Sequence, residues 1–86
     1  MNRIIGVYPT RAYKLILEYP DGKYRIYDAK KQLSDKASPL GDIIGDYELF
    51  RSAHVVEDTG TVGWSNGVDL DPDVLYDNSE LDAQLS

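Results

Sequence analysis

Five acidic residues near the C-terminus, Asp69, Asp71, Asp73, Asp77 and Glu80, carry the spacing of a cation-binding loop. They fall at positions one, three, five, nine and twelve of a calcium loop of the EF-hand kind, with Leu75 at the backbone-carbonyl position. Hard cations need clustered oxygens, so the pattern has a chemical meaning. Three features oppose it. Val74 stands where the sharp turn requires glycine, Pro72 lies inside the loop, and Trp64-Ser65-Asn66-Gly67 reads as strand and turn rather than as an entering helix. Helix capping already accounts for Asp71 and Asp73, and solvation for the remaining acids. No metal ligand set is assigned.

Other reaction chemistry finds less support. Cysteine is absent, which removes disulfide frameworks, thiolate zinc sites and cysteine nucleophiles together. The single histidine, His54, opens a predicted strand, and a general base needs a nucleophile or an orienting partner that no Gly-x-Ser-x-Gly elbow supplies. Gly60, Gly63 and Gly67 match neither nucleotide fingerprint, and Gly22-Lys23 is followed by Tyr24 where a phosphate loop requires Ser or Thr. Fifteen acids guarantee chance carboxylate pairs, so proximity alone carries no weight. The expectation is a non-enzymatic protein with no catalytic residues and no cofactor.

Charge is unevenly placed. Nine Lys+Arg against fifteen Asp+Glu give a net charge of −6, which argues against a generic phosphate-binding surface. All nine bases lie in residues 1–51, which carry a net of +2; residues 52–86 hold eight acids and no base. Two readings stay open: the halves fold together and neutralise each other, or the acidic half forms an interaction face. Six of the seven tyrosines lie among the bases of residues 1–51, which raises the idea of a stacking platform for single strands. Tyr13, Tyr19 and Tyr24 instead fall on a predicted buried face, whereas Tyr8, Tyr27 and Tyr47 are candidates for the rim of a protein interface.

The elements that must position these groups are short. Residues 12–19 alternate, with Tyr13, Leu15, Leu17 and Tyr19 on one face. Asp21-Gly22 is a hairpin signal, and folding about it pairs Tyr19 with Tyr24, Glu18 with Arg25 and Leu17 with Ile26. A second set joins residues 53–57 to 61–65, then turns at Asn66-Gly67 into a return strand over 68–70, and residues 4–8 read as one more strand. Ser38-Pro39 and Asp71-Pro72-Asp73 resemble helix starts, and Asp46 is placed to cap a turn carrying Tyr47, Leu49 and Phe50. The expected fold is α+β: a small, mostly antiparallel sheet of four to six strands, an N-terminal hairpin plus a C-terminal meander, with two or three short helical turns. Residues 1–80 are expected to form one domain and 81–86 a short acidic, flexible tail. Leu15, Leu17, Ile26, Phe50, Val55, Trp64 and Leu75 are the expected core. No apolar run is long enough to cross a bilayer and the N-terminus is too short for a signal peptide, so a cytoplasmic, bacterial or phage-like setting is expected.

Two stretches resemble a known family. The first is Tyr13-Lys14-Leu15-Ile16-Leu17-Glu18-Tyr19 with Asp21-Gly22-Lys23 and Arg25-Ile26-Tyr27-Asp28; Leu49-Phe50 continues the match. The second, more specific, runs over residues 60–76 and holds Trp64, Gly67, Asp69-Leu70, Pro72-Asp73 and Leu75-Tyr76. Together, over roughly residues 4–77, they resemble the bacterial domain-of-unknown-function family numbered 2442. Two departures are Ser65, where proline commonly follows the tryptophan, and the middle segment Gly41-Asp42-Ile43-Ile44-Gly45. The resemblance implies a small domain with no established activity, often encoded beside another small protein in a toxin–antitoxin-like arrangement and sometimes fused to a helix-turn-helix. The nine residues after Asp77 are too few for that helix pair. It also implies that Asp69, Asp71 and Asp73 belong to the structural pattern.

The functional expectation is a regulatory or antitoxin-like protein-interaction module whose Asp69, Asp73, Asp77 and Glu80 meet a small basic protein. The alternative is an acidic inhibitor that mimics nucleic acid and blocks a nucleic-acid-binding protein. Direct nucleic-acid or membrane binding is not expected. The chain is expected as a monomer or a weak homodimer, the latter by sheet extension from an edge of the first hairpin.

Overall fold

In chain order, the computed structural model describes residues 2–84. Its elements are β1 (Gly6–Pro9), β2 (Lys14–Glu18), β3 (Tyr24–Asp28), α1 (Ala29–Leu33), α2 (Asp42–Gly45), α3 (Tyr47–Phe50), β4 (His54–Val56), β5 (Thr61–Gly63), α4 (Pro72–Asp77) and β6 (Ser79–Leu81). An antiparallel sheet of four strands has the order β1-β2-β3-β6, and β4 pairs with β5 in a second, two-stranded sheet. This is the expected α+β architecture. No helix among the described residues is long and apolar enough to cross a membrane.

The first hairpin forms where the alternation places it, but one residue out of the expected register. Glu18 pairs with Tyr24, Leu17 with Arg25 and Ile16 with Ile26. The reason is Pro20. Its fixed φ suits the second position of a turn that opens at Tyr19, closed by the Gly22 N–H donating to the Tyr19 carbonyl at 3.0 Å. Gly22 then takes a positive φ of 83°, and Lys23 completes the closure: its carbonyl accepts from the Tyr19 N–H while its own N–H donates to Asp21 Oδ1 at 3.0 Å. The loop is therefore three residues rather than two. Because side chains alternate, a slip of one residue exchanges the faces of β3. Tyr27 points inward and is 2% exposed, whereas Ile26, expected in the core, is only half-buried.

Asn66-Gly67 repeats this chemistry. The Gly67 N–H donates to the Trp64 carbonyl, the Val68 N–H to Asn66 Oδ1, and Gly67 has a φ of 86°. The expected return strand shrinks to a bridge between Gly63 and Asp69, with the Leu70 N–H donating to the Val62 carbonyl. Gly60 closes the β4–β5 turn at a φ of 69°, where an added Cβ would lie 2.6 Å from Arg3 Cβ.

Aspartates start three of the helices. Asp46 accepts from the Glu48 and Leu49 N–H groups and Asp71 from those of Asp73 and Val74, as their positions imply. Asp28 caps α1, a helix that was not expected, by accepting from the Lys31 N–H. Ser38 caps no helix: its hydroxyl donates to Asp42 Oδ1, and α2 begins after Gly41. Tyr13 has a φ of 61°, an uncommon state for a residue with a Cβ. Its carbonyl accepts from both the Ala29 and Lys30 N–H groups, and its ring packs 4.9 Å from Phe50 and 5.5 Å from Tyr47. The local cost is thus offset by docking α1 and α3 onto the start of β2.

The core gathers between the inner face of the four-stranded sheet, the helices and the small hairpin. Leu15, Leu17, Phe50, Trp64 and Leu75 are buried as expected, joined by Tyr27, Leu33, Ile43 and Val62; Val55 is only half-buried. Trp64 satisfies its indole by donating to the Phe50 carbonyl at 3.0 Å, tying the hairpin to α3. At the other end, Arg25 clasps the C-terminal strand: Nε donates to Ser79 Oγ at 2.8 Å and Nη2 to the Ser79 carbonyl at 2.7 Å and the Tyr76 carbonyl at 3.3 Å. Leu81, placed by sequence at the head of a tail over 81–86, pairs with Arg25 in β6. The end of that segment, Leu85 and Ser86, lies outside the described residues.

Three measurements test this account. Trp64→Ala removes the largest buried side chain and costs about 3–5 kcal/mol, read as a fall in the urea midpoint at unchanged m-value. Asp71→Ala, which removes a cap, costs about 0.5–2 kcal/mol, while Asp69→Asn changes stability by less than about 0.5 kcal/mol. Burial pushes the Tyr19 and Tyr27 phenols from the ordinary 10.0 up to about 12. The unfolded chain releases these protons first, so between those values it binds fewer protons than the fold and stability falls as pH rises. Stability against urea is flat with respect to these groups below pH 10.0 and declines toward about 12, less steeply in Tyr27→Phe.

Candidate interaction surface

The sequence places Asp69, Asp73, Asp77 and Glu80 in one candidate set, and the structure distributes them over two surfaces. Asp69 is exposed at the bridge to Gly63. Asp73 and Asp77 stand four residues apart on α4, on the side turned away from buried Leu75, with Val74 beside them at 48% exposure. Asp73 accepts a hydrogen bond of 3.0 Å from Asn2 Nδ2. Glu80 belongs to β6, where it pairs with Ile26 on the outer face of the sheet. Asp71 lies between the first two but is committed to capping α4.

None of the four has a cation within ion-pair distance among the described residues. The ion pair formed there is Arg51–Glu48 at 3.3 Å, within the first half of the chain. The bases that do reach the acidic half bond its backbone instead. Arg3 donates to the Glu57 and Asp58 carbonyls, and Arg25 to those of Tyr76 and Ser79. The two halves are thus joined by guanidinium–carbonyl contacts, while the carboxylates of α4 and its approach stay turned to solvent. Among the described residues no group of three His, Asp or Glu could hold a metal ion. The calcium-like spacing fails as geometry because Asp71 and Asp73 begin a helix rather than line a loop.

The outer face of the four-stranded sheet was missed in the sequence. Register places Tyr8, Ile16, Ile26 and Glu80 in one row across all four strands, flanked by Glu18 and Tyr24 on one side and by Lys14 and Asp28 on the other. Tyr8 is 50% exposed and Ile16, Tyr24 and Ile26 are half-buried. The Tyr8 hydroxyl donates to Glu18 Oε1 at 2.8 Å, a bond that raises its pKa by favouring the protonated phenol. The period-two alternation carried the signal, but only the true register tells which residues share the row. Of the tyrosines expected at the rim of an interface, Tyr8 is exposed, Tyr47 packs against Tyr13, and Tyr27 is in the core. Tyr24, expected inside, lies on the outer face.

Topology also alters how copies of the chain can meet. Both strands of the first hairpin are central, since β1 covers one side of it and β6 the other. Sheet extension from that hairpin is therefore closed off, because it offers no unpaired edge. His54 is exposed, its Nδ1 lying 3.1 Å from the Ser52 carbonyl.

Comparison with known proteins places the chain. The family described as a protein of unknown function, DUF2442, matches residues 4–80. No curated protein and no solved structure matched. The matched stretch contains every strand but the last residue of β6, all four helices and both glycine-closed hairpins. The chain belongs to the DUF2442 family.

Proposed function

We propose that this domain is a non-enzymatic protein-interaction module, a regulatory, antitoxin-like partner that acts in the bacterial cytoplasm by docking a basic segment of another small protein. The observation that supports this most is the unpaired state of its acids. In a chain with nine bases, Asp69, Asp73, Asp77 and Glu80 are exposed with no cation in reach among the described residues. A chain selected only for its own stability gains from placing opposite charges together, by about 0.2–1 kcal/mol per exposed pair. Here Arg3 and Arg25, the guanidiniums that reach the acidic half, go to its backbone carbonyls instead. Exposed like charges steer a complementary partner and reject a wrong one, raising association rate and selectivity more than affinity. Asp69, Asp73 and Asp77 form the nearer group, with Val74 as an apolar contact among them.

The test is co-purification with the protein encoded beside this one. The wild-type domain retains that protein at low salt and releases it as salt rises. Replacing Asp69, Asp73 and Asp77 by Asn and Glu80 by Gln weakens the complex by about tenfold or more, chiefly through a slower on-rate, while the melting temperature stays close to that of the wild type. Equal binding by the neutral variant, or none by the wild type at low salt, overturns the proposal. Competition by DNA for the bound partner distinguishes a nucleic-acid mimic from a docking surface.

A further inference from the structure

Between the β2–β3 turn and α4 lies a cleft of about 250 Å³, lined by Tyr19, Pro20, Lys23, Arg25, Tyr76 and Leu81, with Asn2, which bonds Asp73, at its wall. Its chemistry differs from that of the rest of the molecule. Arg25 is half-buried, yet among the described residues no carboxylate lies within ion-pair distance of it. Neutral groups alone hold it: Ser79 Oγ, the Ser79 and Tyr76 carbonyls, and the Tyr76 ring, whose centroid is 4.0 Å from the guanidinium carbon. These contacts use Nε and Nη2; Nη1 makes no hydrogen bond to a described residue. A half-buried guanidinium without a counter-ion is unusual in a chain of fifteen acids, because desolvating a charge is costly unless it is paired.

Tyr19 supplies a second, independent observation. Its side chain is 6% exposed and its hydroxyl is buried with no hydrogen-bond partner among the described residues. Its ring meets Tyr76 edge to face at 5.6 Å, and Arg25 is close enough to act on the phenol electrostatically. The pKa near 12 keeps that hydroxyl protonated, hence a donor, at any physiological pH. A buried donor with no acceptor costs free energy comparable to a lost hydrogen bond, and such exceptions call for an explanation. A lining tyrosine with a buried, unpartnered hydroxyl, a guanidinium with no carboxylate among the described residues and a partly apolar wall meet at one cleft.

We propose that this cleft binds a carboxylate, from a small organic acid or from the C-terminus of a peptide, with Arg25 Nη1 donating to one oxygen and the Tyr19 hydroxyl to the other. The carboxylate is planar, bears one charge and accepts at two oxygens, which suits a guanidinium fixed on one edge by its existing bonds. Lys23 adds charge at the mouth, and Leu81 and Pro20 offer apolar contact to the ligand body. A dianionic phosphate fits less well, since Asp21 also lines the cleft and the chain is net negative. The cleft holds a body of roughly one amino-acid residue or one aromatic ring. Although the cleft adjoins α4, the proposed contacts use none of Asp69, Asp73, Asp77 and Glu80, so this site and the docking of a basic protein are tested separately.

The experiment is an amide and arginine side-chain NMR titration of the whole chain. The probes are sodium benzoate and a short leucine-terminated peptide with a free or an amidated C-terminus; sodium chloride is the ionic-strength control. Saturable shifts in residues 19–25 and 76–81, including the Arg25 Nε–H signal, are expected from benzoate or the free-acid peptide and not from the amidated peptide or chloride. Saturation by benzoate alone identifies a small acid as the source, and by the peptide alone a chain terminus. Tyr19→Phe weakens binding by about tenfold, and because the removed hydroxyl has no partner in the free protein, the variant melts at the same or a higher temperature. No saturable shift with either carboxylate, equal binding of the amidated peptide, or undiminished binding by Tyr19→Phe overturns the proposal.

Discussion

The pairing of β2 with β3 is the constraint on which most of the structure depends, and Pro20 sets it. With the turn opened at Tyr19 and closed by Gly22, β3 enters the sheet with Arg25 and Tyr27 on the inner face and Tyr24, Ile26 and Asp28 on the outer one. Tyr27 then fills the core that Ile26 would otherwise have occupied. Arg25 reaches inward to the carbonyls that end α4 and begin β6, so the last strand is held by side-chain bonds as well as by its three-residue ladder. Had the turn been a two-residue Asp-Gly hairpin, Arg25 would face solvent beside Glu18. The clasp, the cleft beside it and the outer row of side chains would all disappear together.

Electrostatics in this domain separate structural cations from solvent-facing anions. Arg3 and Arg25 each cross from the basic half to the acidic half of the chain and bind carbonyl oxygens at the ends of elements. Charge-assisted bonds of this kind are stronger than neutral ones and satisfy acceptors that helices and turns leave open. The acids divide in the same manner. Asp28, Asp46 and Asp71 spend their carboxylates on helix starts, and Asp21 on its turn. Asp69, Asp77 and Glu80 have no such duty, and their carboxylates make no hydrogen bond or ion pair among the described residues. Position relative to a helix start, rather than residue type, divides structural from surface acids.

The small size of the domain is met by joining elements through a few buried groups. Trp64 packs in the core and donates to α3; Tyr13 accepts a rare backbone state so that its carbonyl receives α1 and its ring meets Phe50. A domain of this length buries only about 60% of its extended surface, so each such junction carries a larger share of stability than in a bigger protein. Gly60 shows the same economy: the N-terminal segment lies directly on it, with the Ile4 N–H donating to its carbonyl at 2.8 Å. The turn, the segment and the second hairpin are fixed by one residue without a side chain.

Local chemistry made much of this legible in the chain. Alternation located β2 and β3, aspartate followed by a helical turn located α3 and α4, and Trp64, Leu15, Leu17, Phe50 and Leu75 stood out as core anchors because apolar groups of that size leave water. These signals act within a few residues, so they survive without knowledge of the fold. Register does not. The same Asp-Gly and Asn-Gly pairs serve two- and three-residue turns, and the choice depends on Pro20 and on what packs beneath the strands. Helix α1 is not legible because Asp28 both ends β3 and caps the helix, leaving no gap between the two elements, and β6 is not because three residues carry no usable period. The charge asymmetry of the two halves is plain in the chain. Only the folded arrangement decided that Arg3 and Arg25 would bind carbonyls across the molecule and leave Arg25 without a carboxylate among the described residues, because those distances are set by contacts more than fifty residues apart.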